Sequence, residues 1–131
     1  MRFTYALLVC SAVYGLASAQ ALPEQPADIG YPTPAAALSA LRAKPGVVVT
    51  ERPGWTVAED KSEKAIWTIA EPGNPAYPAA IKRYLSNEGD GVHLEMKVLC
   101  GASKEACDNM VRQFQQLNSN VVNAVQQQRS N

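Results

Sequence analysis

The stretch Val-His-Leu-Glu-Met-Lys-Val-Leu-Cys, residues 92–100, is the clearest β-strand pattern in the chain. Apolar residues at positions 92, 94, 96 and 98 alternate with His93, Glu95 and Lys97. Successive side chains of a strand point to opposite faces of its sheet. One face of this strand is therefore predicted to be buried, and the face that carries His93 is predicted to be at least partly in water.

The residues after this strand predict a long amphipathic helix. Ser103 fits an N-cap, and acidic residues follow it in the first turns. Beyond it, apolar residues recur at the three- and four-residue spacing of a helix with one buried stripe. These residues are Cys107, Met110, Val111, Phe114, Leu117, Val121 and Val125. We expect this C-terminal helix to cover the sheet.

A short helix and four more strands are predicted before residue 92. Thr33 and Pro34 suit the N-cap and the first position of a helix that continues to Ala43 and stops at Pro45-Gly46. Runs of β-branched, aromatic and apolar residues then predict strands. These strands span 47–51, 55–59, 65–70 and 79–86. Short turn-forming segments between them favour antiparallel pairing.

The order of these elements predicts an α+β fold. A five-stranded antiparallel meander sheet is expected to carry the short N-terminal helix and the long C-terminal helix packed on one face. The length of 131 residues favours a single domain, which we assign to residues 33–128. Residues 20–32 contain three prolines and few apolar side chains, so we expect an extended leader or linker there.

Residues 1–19 are typical of a cleavable signal peptide. Met1-Arg2 brings a positive charge, residues 3–16 are uncharged and mostly apolar, and Ala17-Ser18-Ala19 forms a small-x-small cleavage site before Gln20. The apolar stretch is shorter than the roughly 20 residues of a transmembrane helix, and no later stretch approaches that length. The mature chain is therefore predicted to be soluble and either periplasmic or secreted.

The cysteines predict a disulfide in that compartment. Signal removal takes away Cys10 and leaves Cys100 and Cys107, which are expected to pair where the environment is oxidising. Cys100 ends the strand and Cys107 belongs to the apolar stripe of the helix, so the bond would hold the corner between them. The spacing is too wide for a Cys-x-x-Cys redox motif.

Composition excludes several classes of function. The chain has 12 Lys+Arg and 12 Asp+Glu and no basic cluster, so no nucleic-acid partner is expected. It has one histidine, His93, and no glycine-rich phosphate loop. We therefore predict no catalytic residues, no metal site and no cofactor. The alternative is a small envelope enzyme or metal-dependent factor centred on His93 and Glu95, which point to the same side of one strand.

Aromatic and proline residues suggest recognition of a partner. Tryptophan and tyrosine bury a large area at low entropic cost and are favoured at recognition surfaces. The alternative for each tryptophan is to fill the core. The predicted binding residues are Trp55, Trp67, Pro75, Tyr77 and Arg83. The leading hypothesis is an exported, non-catalytic domain that binds a protein or peptide partner in the cell envelope, with an inhibitor or immunity protein as one form.

The chain also resembles a family of small exported bacterial proteins without an assigned function. The segments that carry this resemblance are Trp55-Thr56, Ile66-Trp67-Thr68, Asn74-Pro75-Ala76-Tyr77-Pro78 leading into Ile81-Lys82-Arg83, and Val98-Leu99-Cys100 with Cys107. It spans Tyr31 to about Val125, and members of the family carry histidine where this chain has Asn74. The resemblance implies export and a single α+β domain, and it supplies no activity.

Overall fold

The computed structural model describes residues 28–86, 91 and 93–130. The predicted signal peptide and residues 20–27 of the predicted leader lie outside the described residues. The elements in chain order are α1 (Pro34–Ala43), β1 (Val48–Arg52), β2 (Trp55–Asp60), β3 (Ala65–Ala70), β4 (Ala79–Ser86), β5 (His93–Cys100) and α2 (Lys104–Arg129). None of the helices among these elements is long and apolar enough to cross a membrane.

The five strands form one antiparallel sheet in the order β1-β2-β3-β4-β5. The α+β class and the meander are therefore confirmed. Both helices begin at the predicted caps. Thr33 Oγ1 accepts a hydrogen bond from the Ala36 amide at 3.1 Å, and Ser103 Oγ accepts one from the Ala106 amide at 3.2 Å. These bonds satisfy amides that have no partner within the helix.

The structure corrects one detail of the predicted architecture, because α1 and α2 lie on opposite faces of the sheet. Ala80 and Ile81 are consecutive residues of β4 and both are fully buried. Ala80 packs with α1 residues, whereas Ile81 packs with α2 residues. In β3, five of six residues are buried and they include side chains on both faces, which is typical of a strand that is covered on both faces.

The core on the α1 side is built around Trp67, which is 2% exposed. Leu41 of α1 belongs to the same cluster, and the Tyr31 ring meets the Trp67 ring edge-on at a centroid distance of 5.6 Å. Ile29 is also buried in this cluster. The end of the segment predicted to be a leader therefore packs as part of the domain.

The core on the α2 side lies under the first half of that helix. Met110 is 3% exposed and packs with Ala79 and Ile81 of β4. Cys100 and Cys107 form the predicted disulfide, with their Cα atoms 6.0 Å apart. The bond ties the end of β5 to the first turns of α2 and so fixes where the helix starts on the sheet.

Candidate functional site

The five predicted binding residues are not brought together in one place. Trp67 lies in the core, where its 2% exposure leaves almost no surface for a partner. This side chain fills the core, which was the alternative for each tryptophan, because β3 turns it towards α1. The other four residues lie on three different parts of the surface.

Trp55 and Pro75 line a groove of about 620 Å³ between residues 71–78 and the first half of α2. We call it the tryptophan groove. Trp55 is half-buried, and its ring meets Phe114 of α2 edge-on at a centroid distance of 5.6 Å. Met110 contributes a second apolar side chain to the lining. The polar lining residues are Asn74, Ser103, Glu105, Asn109 and Gln113.

Hydrogen bonds fix the loop that forms one wall of the tryptophan groove. The Asn74 side chain donates to the Gly54 carbonyl at 3.0 Å and accepts from the Ala76 amide at 2.9 Å. Thr56 Oγ1 donates to the Glu71 carboxylate at 2.8 Å, where the loop begins. The wall is therefore held in place without a ligand, which lowers the entropic cost of binding one.

Tyr77 lies outside this groove. It is 48% exposed and lines a smaller cavity of about 300 Å³ with Leu38 and Arg42 of α1 and with Pro72. The peptide bond between Tyr77 and Pro78 is cis. Although Tyr77 is only two residues from Pro75, the two side chains line different cavities.

Arg83 lies on the α2 face of the sheet, beneath Phe114. Its guanidinium carbon is 5.3 Å from the centroid of the Phe114 ring, a cation–π arrangement. Burial lowers the pKa of this guanidinium. Its Nε is buried and has no hydrogen-bond partner among the described residues. Arg83 therefore supports the packing of α2, and no carboxylate from the described residues meets it.

A larger apolar surface was not foreseen from the sequence. Exposed large hydrophobic side chains cluster on the α2 face of the sheet and on the second half of α2. We call this surface the open face, and it consists of Val48, Ile66, Leu85, Leu117, Val121 and Val125. Helical spacing had assigned the last three to the buried stripe. A 26-residue helix is about 39 Å long, whereas an eight-residue strand is about 27 Å long, and this mismatch was the available signal.

Two residues of the open face, Val48 and Ile66, lie in one row across the sheet. Val48 pairs with Glu59, Glu59 pairs with Ile66, and Ile66 pairs with Arg83. Residues paired in this way point to the same face of the sheet. The exposed Glu59 therefore stands between two exposed apolar side chains, on the part of the sheet that α2 leaves uncovered.

His93 and Glu95, the centre of the alternative hypothesis, are both exposed. Within the part of the chain that the structure describes, no group of three or more His, Cys, Asp or Glu residues could hold a metal ion. His93 lines two cavities beside the second half of α2, and Glu95 lines one of them.

Charged side chains on the α1 side form a cross-linked network. Lys44 Nζ lies 2.5 Å from Asp60 and 3.1 Å from Glu63, and Lys82 Nζ lies 2.5 Å from Glu63. Hydrogen bonds from Lys44, and secondarily from Ser62, lower the pKa of Asp60 from 3.8 to about 2. Asp60 is 3% exposed. The network holds the turn between β2 and β3 in place and stabilises the fold.

No protein-family model, no curated protein and no solved structure matches this chain. The resemblance to a family of small exported bacterial proteins therefore stays a prediction.

Proposed function

We propose that this protein is an exported, non-catalytic domain that binds a segment of a protein or peptide partner in the tryptophan groove. The observation that carries the proposal is the groove itself, in which the half-buried Trp55 ring lies among polar side chains of which only Glu105 is ionisable. A concave site in which an aromatic ring lies among convergent polar groups is typical of binding sites. The signal-peptide pattern and the disulfide support a location outside the cytoplasm.

The groove chemistry defines the kind of segment it accepts. Apart from Glu105, its lining has no ionisable side chain. Neutral amides such as Gln113 suit hydrogen bonds to a peptide backbone. The half-buried Trp55 suits contact with one apolar or aromatic side chain. We therefore expect a neutral or basic peptide segment that places one large apolar residue on Trp55.

Selection from a random peptide library tests this proposal. Peptides selected on the immobilised, signal-processed protein should share one large apolar residue. Their binding is then measured by fluorescence polarisation against Gln113→Arg and Trp55→Ala. Both variants should weaken binding at least about 10-fold, because one blocks the rim and the other removes the apolar contact.

Tyr77→Ala is the matched control, because Tyr77 is an exposed aromatic side chain outside the groove. It should leave peptide affinity unchanged. Gln113 is exposed, so Gln113→Arg tests the groove without altering the core that Trp55 shares with Phe114. Peptides that bind Gln113→Arg as well as the parent, or a library that yields no binder, would contradict the proposal.

A further inference from the structure

The second half of α2 presents a ridge of apolar side chains that the described residues leave partly exposed. Leu117, Val121 and Val125 are 43%, 43% and 40% exposed. Side chains four residues apart lie one above another on a helix, so the three form a ridge about 12 Å long. Monomeric proteins rarely leave extended apolar surface in water, and such surface marks an interaction site.

The part of the sheet that α2 leaves uncovered presents two exposed apolar side chains with Glu59 between them, and we call this row the sheet trough. Val48 of β1 is 54% exposed and Ile66 of β3 is 40% exposed, and both point to the α2 face. These residues lie two strands apart, a width of about 10 Å at the usual strand spacing. The body of an α-helix with its side chains is also about 10 Å wide. One further helix therefore fits on the uncovered strands.

We propose that the open face is the interface of a two-fold symmetric homodimer, in which the α2 ridge of each copy packs in the sheet trough of the other. A two-fold interface uses the same surface on both copies. Since this chain carries a ridge and a trough side by side, one such contact covers both on each copy. A partner with a ridge alone would leave the α2 ridge of this chain exposed.

The charges on the open face favour the same occupant. From Gln113 to Gln128, α2 has no Asp, Glu, Lys, Arg or His. This segment therefore brings no negative charge towards the Glu59 carboxylate in the sheet of the other copy. The exposed Glu59 in the trough needs hydrogen-bond donors when it is covered. Neutral amides flanking the ridge, such as Asn120 and Gln128, supply such donors.

Sedimentation equilibrium of the signal-processed protein tests the proposal. Between about 1 and 100 µM, the average mass should rise from near that of the monomer towards twice that value, as expected for a dissociation constant in the micromolar range. Ile66→Lys in the trough and Val121→Lys on the ridge should each raise that constant at least about 30-fold, because a lysine would have to be buried in the interface.

Tyr77→Lys is the matched control, since Tyr77 is exposed to a similar degree but lies outside the open face. It should leave the dissociation constant unchanged. Circular dichroism melts of the same variants verify that each is folded. A chain that is monomeric at about 100 µM overturns the proposal, and so does a dimer that Ile66→Lys and Val121→Lys leave intact.

A cross-linking experiment tests which surfaces meet. Ile66→Cys and Val121→Cys are purified separately, mixed, and treated with a short bifunctional maleimide, which leaves the disulfide between Cys100 and Cys107 untouched. The expected product links position 66 of one copy to position 121 of the other. Tyr77→Cys mixed with either variant should give no product, and cross-linking that is equal for all pairs would contradict the geometry.

Peptide binding to the tryptophan groove is measured separately, so failure of one proposal is distinguishable from failure of the other.

Discussion

The two faces of the sheet differ in how completely they are covered. On the α1 side, a helix of ten residues closes over Trp67, and the ion pairs of Lys44 and Lys82 border the core. On the α2 side, a helix of 26 residues buries Met110 but leaves the open face in water. The longer helix therefore covers its face less well than the shorter one.

This difference separates stability from recognition. A face whose large side chains are buried contributes to the free energy of unfolding within the monomer. A face whose large side chains remain exposed gains that free energy only when a partner covers it. Both proposed binding surfaces, the tryptophan groove and the open face, involve α2, and the predictions below compare the two faces directly.

The largest loss of stability is expected at Trp67, and Trp55 on the other face gives the comparison. Trp67→Ala should lower the free energy of unfolding by about 3–5 kcal/mol, because it leaves a cavity in a closed core. Trp55→Ala should cost only about 1–2 kcal/mol, because Trp55 is half-buried. Urea denaturation of both variants measures the difference. Equal losses would mean that the α2 side is as closed as the α1 side.

Loss of the disulfide should have the next largest effect. Cys100→Ala combined with Cys107→Ala should cost roughly 2–3 kcal/mol, as expected for closing so short a loop. The melting temperature should fall by several degrees. Because the bond fixes the start of α2, peptide affinity in the tryptophan groove should also fall. Thiol labelling of the native parent is the control. Free thiols there, or an unchanged melting temperature in the double variant, would contradict this role.

Local sequence signals predicted the elements well. The caps at Thr33 and Ser103, the strand limits and the cysteine pair all depend on residues that are near one another in the sequence. The structure confirms the caps and the pair, and it places the strand limits within one residue of the prediction. The side on which each helix packs depends on how a connecting segment leaves the sheet, which periodicity does not record. The mostly apolar sequence of β3, in which Thr68 is the one polar residue, was a sign in the sequence that both faces are covered.

The candidate site was harder to predict, because it too depends on how the elements pack against one another. Trp55 and Trp67 have similar local patterns, and only the register of β2 against β3 places them on opposite faces. Helical spacing showed that Leu117, Val121 and Val125 share a stripe. It did not show that the sheet beneath them ends before the helix does, since burial is a property of the packed molecule.

A smaller effect is expected for the charged network of the α1 side. Asp60→Asn should lower the free energy of unfolding by only about 1–2 kcal/mol at pH 7. Water around the partly exposed Lys44 screens its attraction for the Asp60 carboxylate, which keeps the loss small. Folding lowers the pKa of Asp60 from 3.8 to about 2, so its contribution is fully present above the unfolded pKa and is lost as pH falls through the folded pKa. The stability gap between parent and variant should therefore shrink between about pH 4 and pH 2. A gap that stays constant over that range would show that the carboxylate is not its source.

The smallest effect is expected from a single substitution on the open face. Ile66 and Ile69 belong to the same strand, and they are 40% and 3% exposed on opposite faces. Ile66→Thr should change monomer stability by less than about 0.5 kcal/mol, because its side chain already meets water. Ile69→Thr makes the same chemical change in the closed core and should cost about 2–3 kcal/mol, since it removes buried apolar atoms and buries a hydroxyl. Measuring both at about 1 µM or below, under conditions where sedimentation shows monomer, keeps association out of the comparison. Similar losses at the two positions would mean that Ile66 is covered within a single chain, and the contrast between the two faces would then fail.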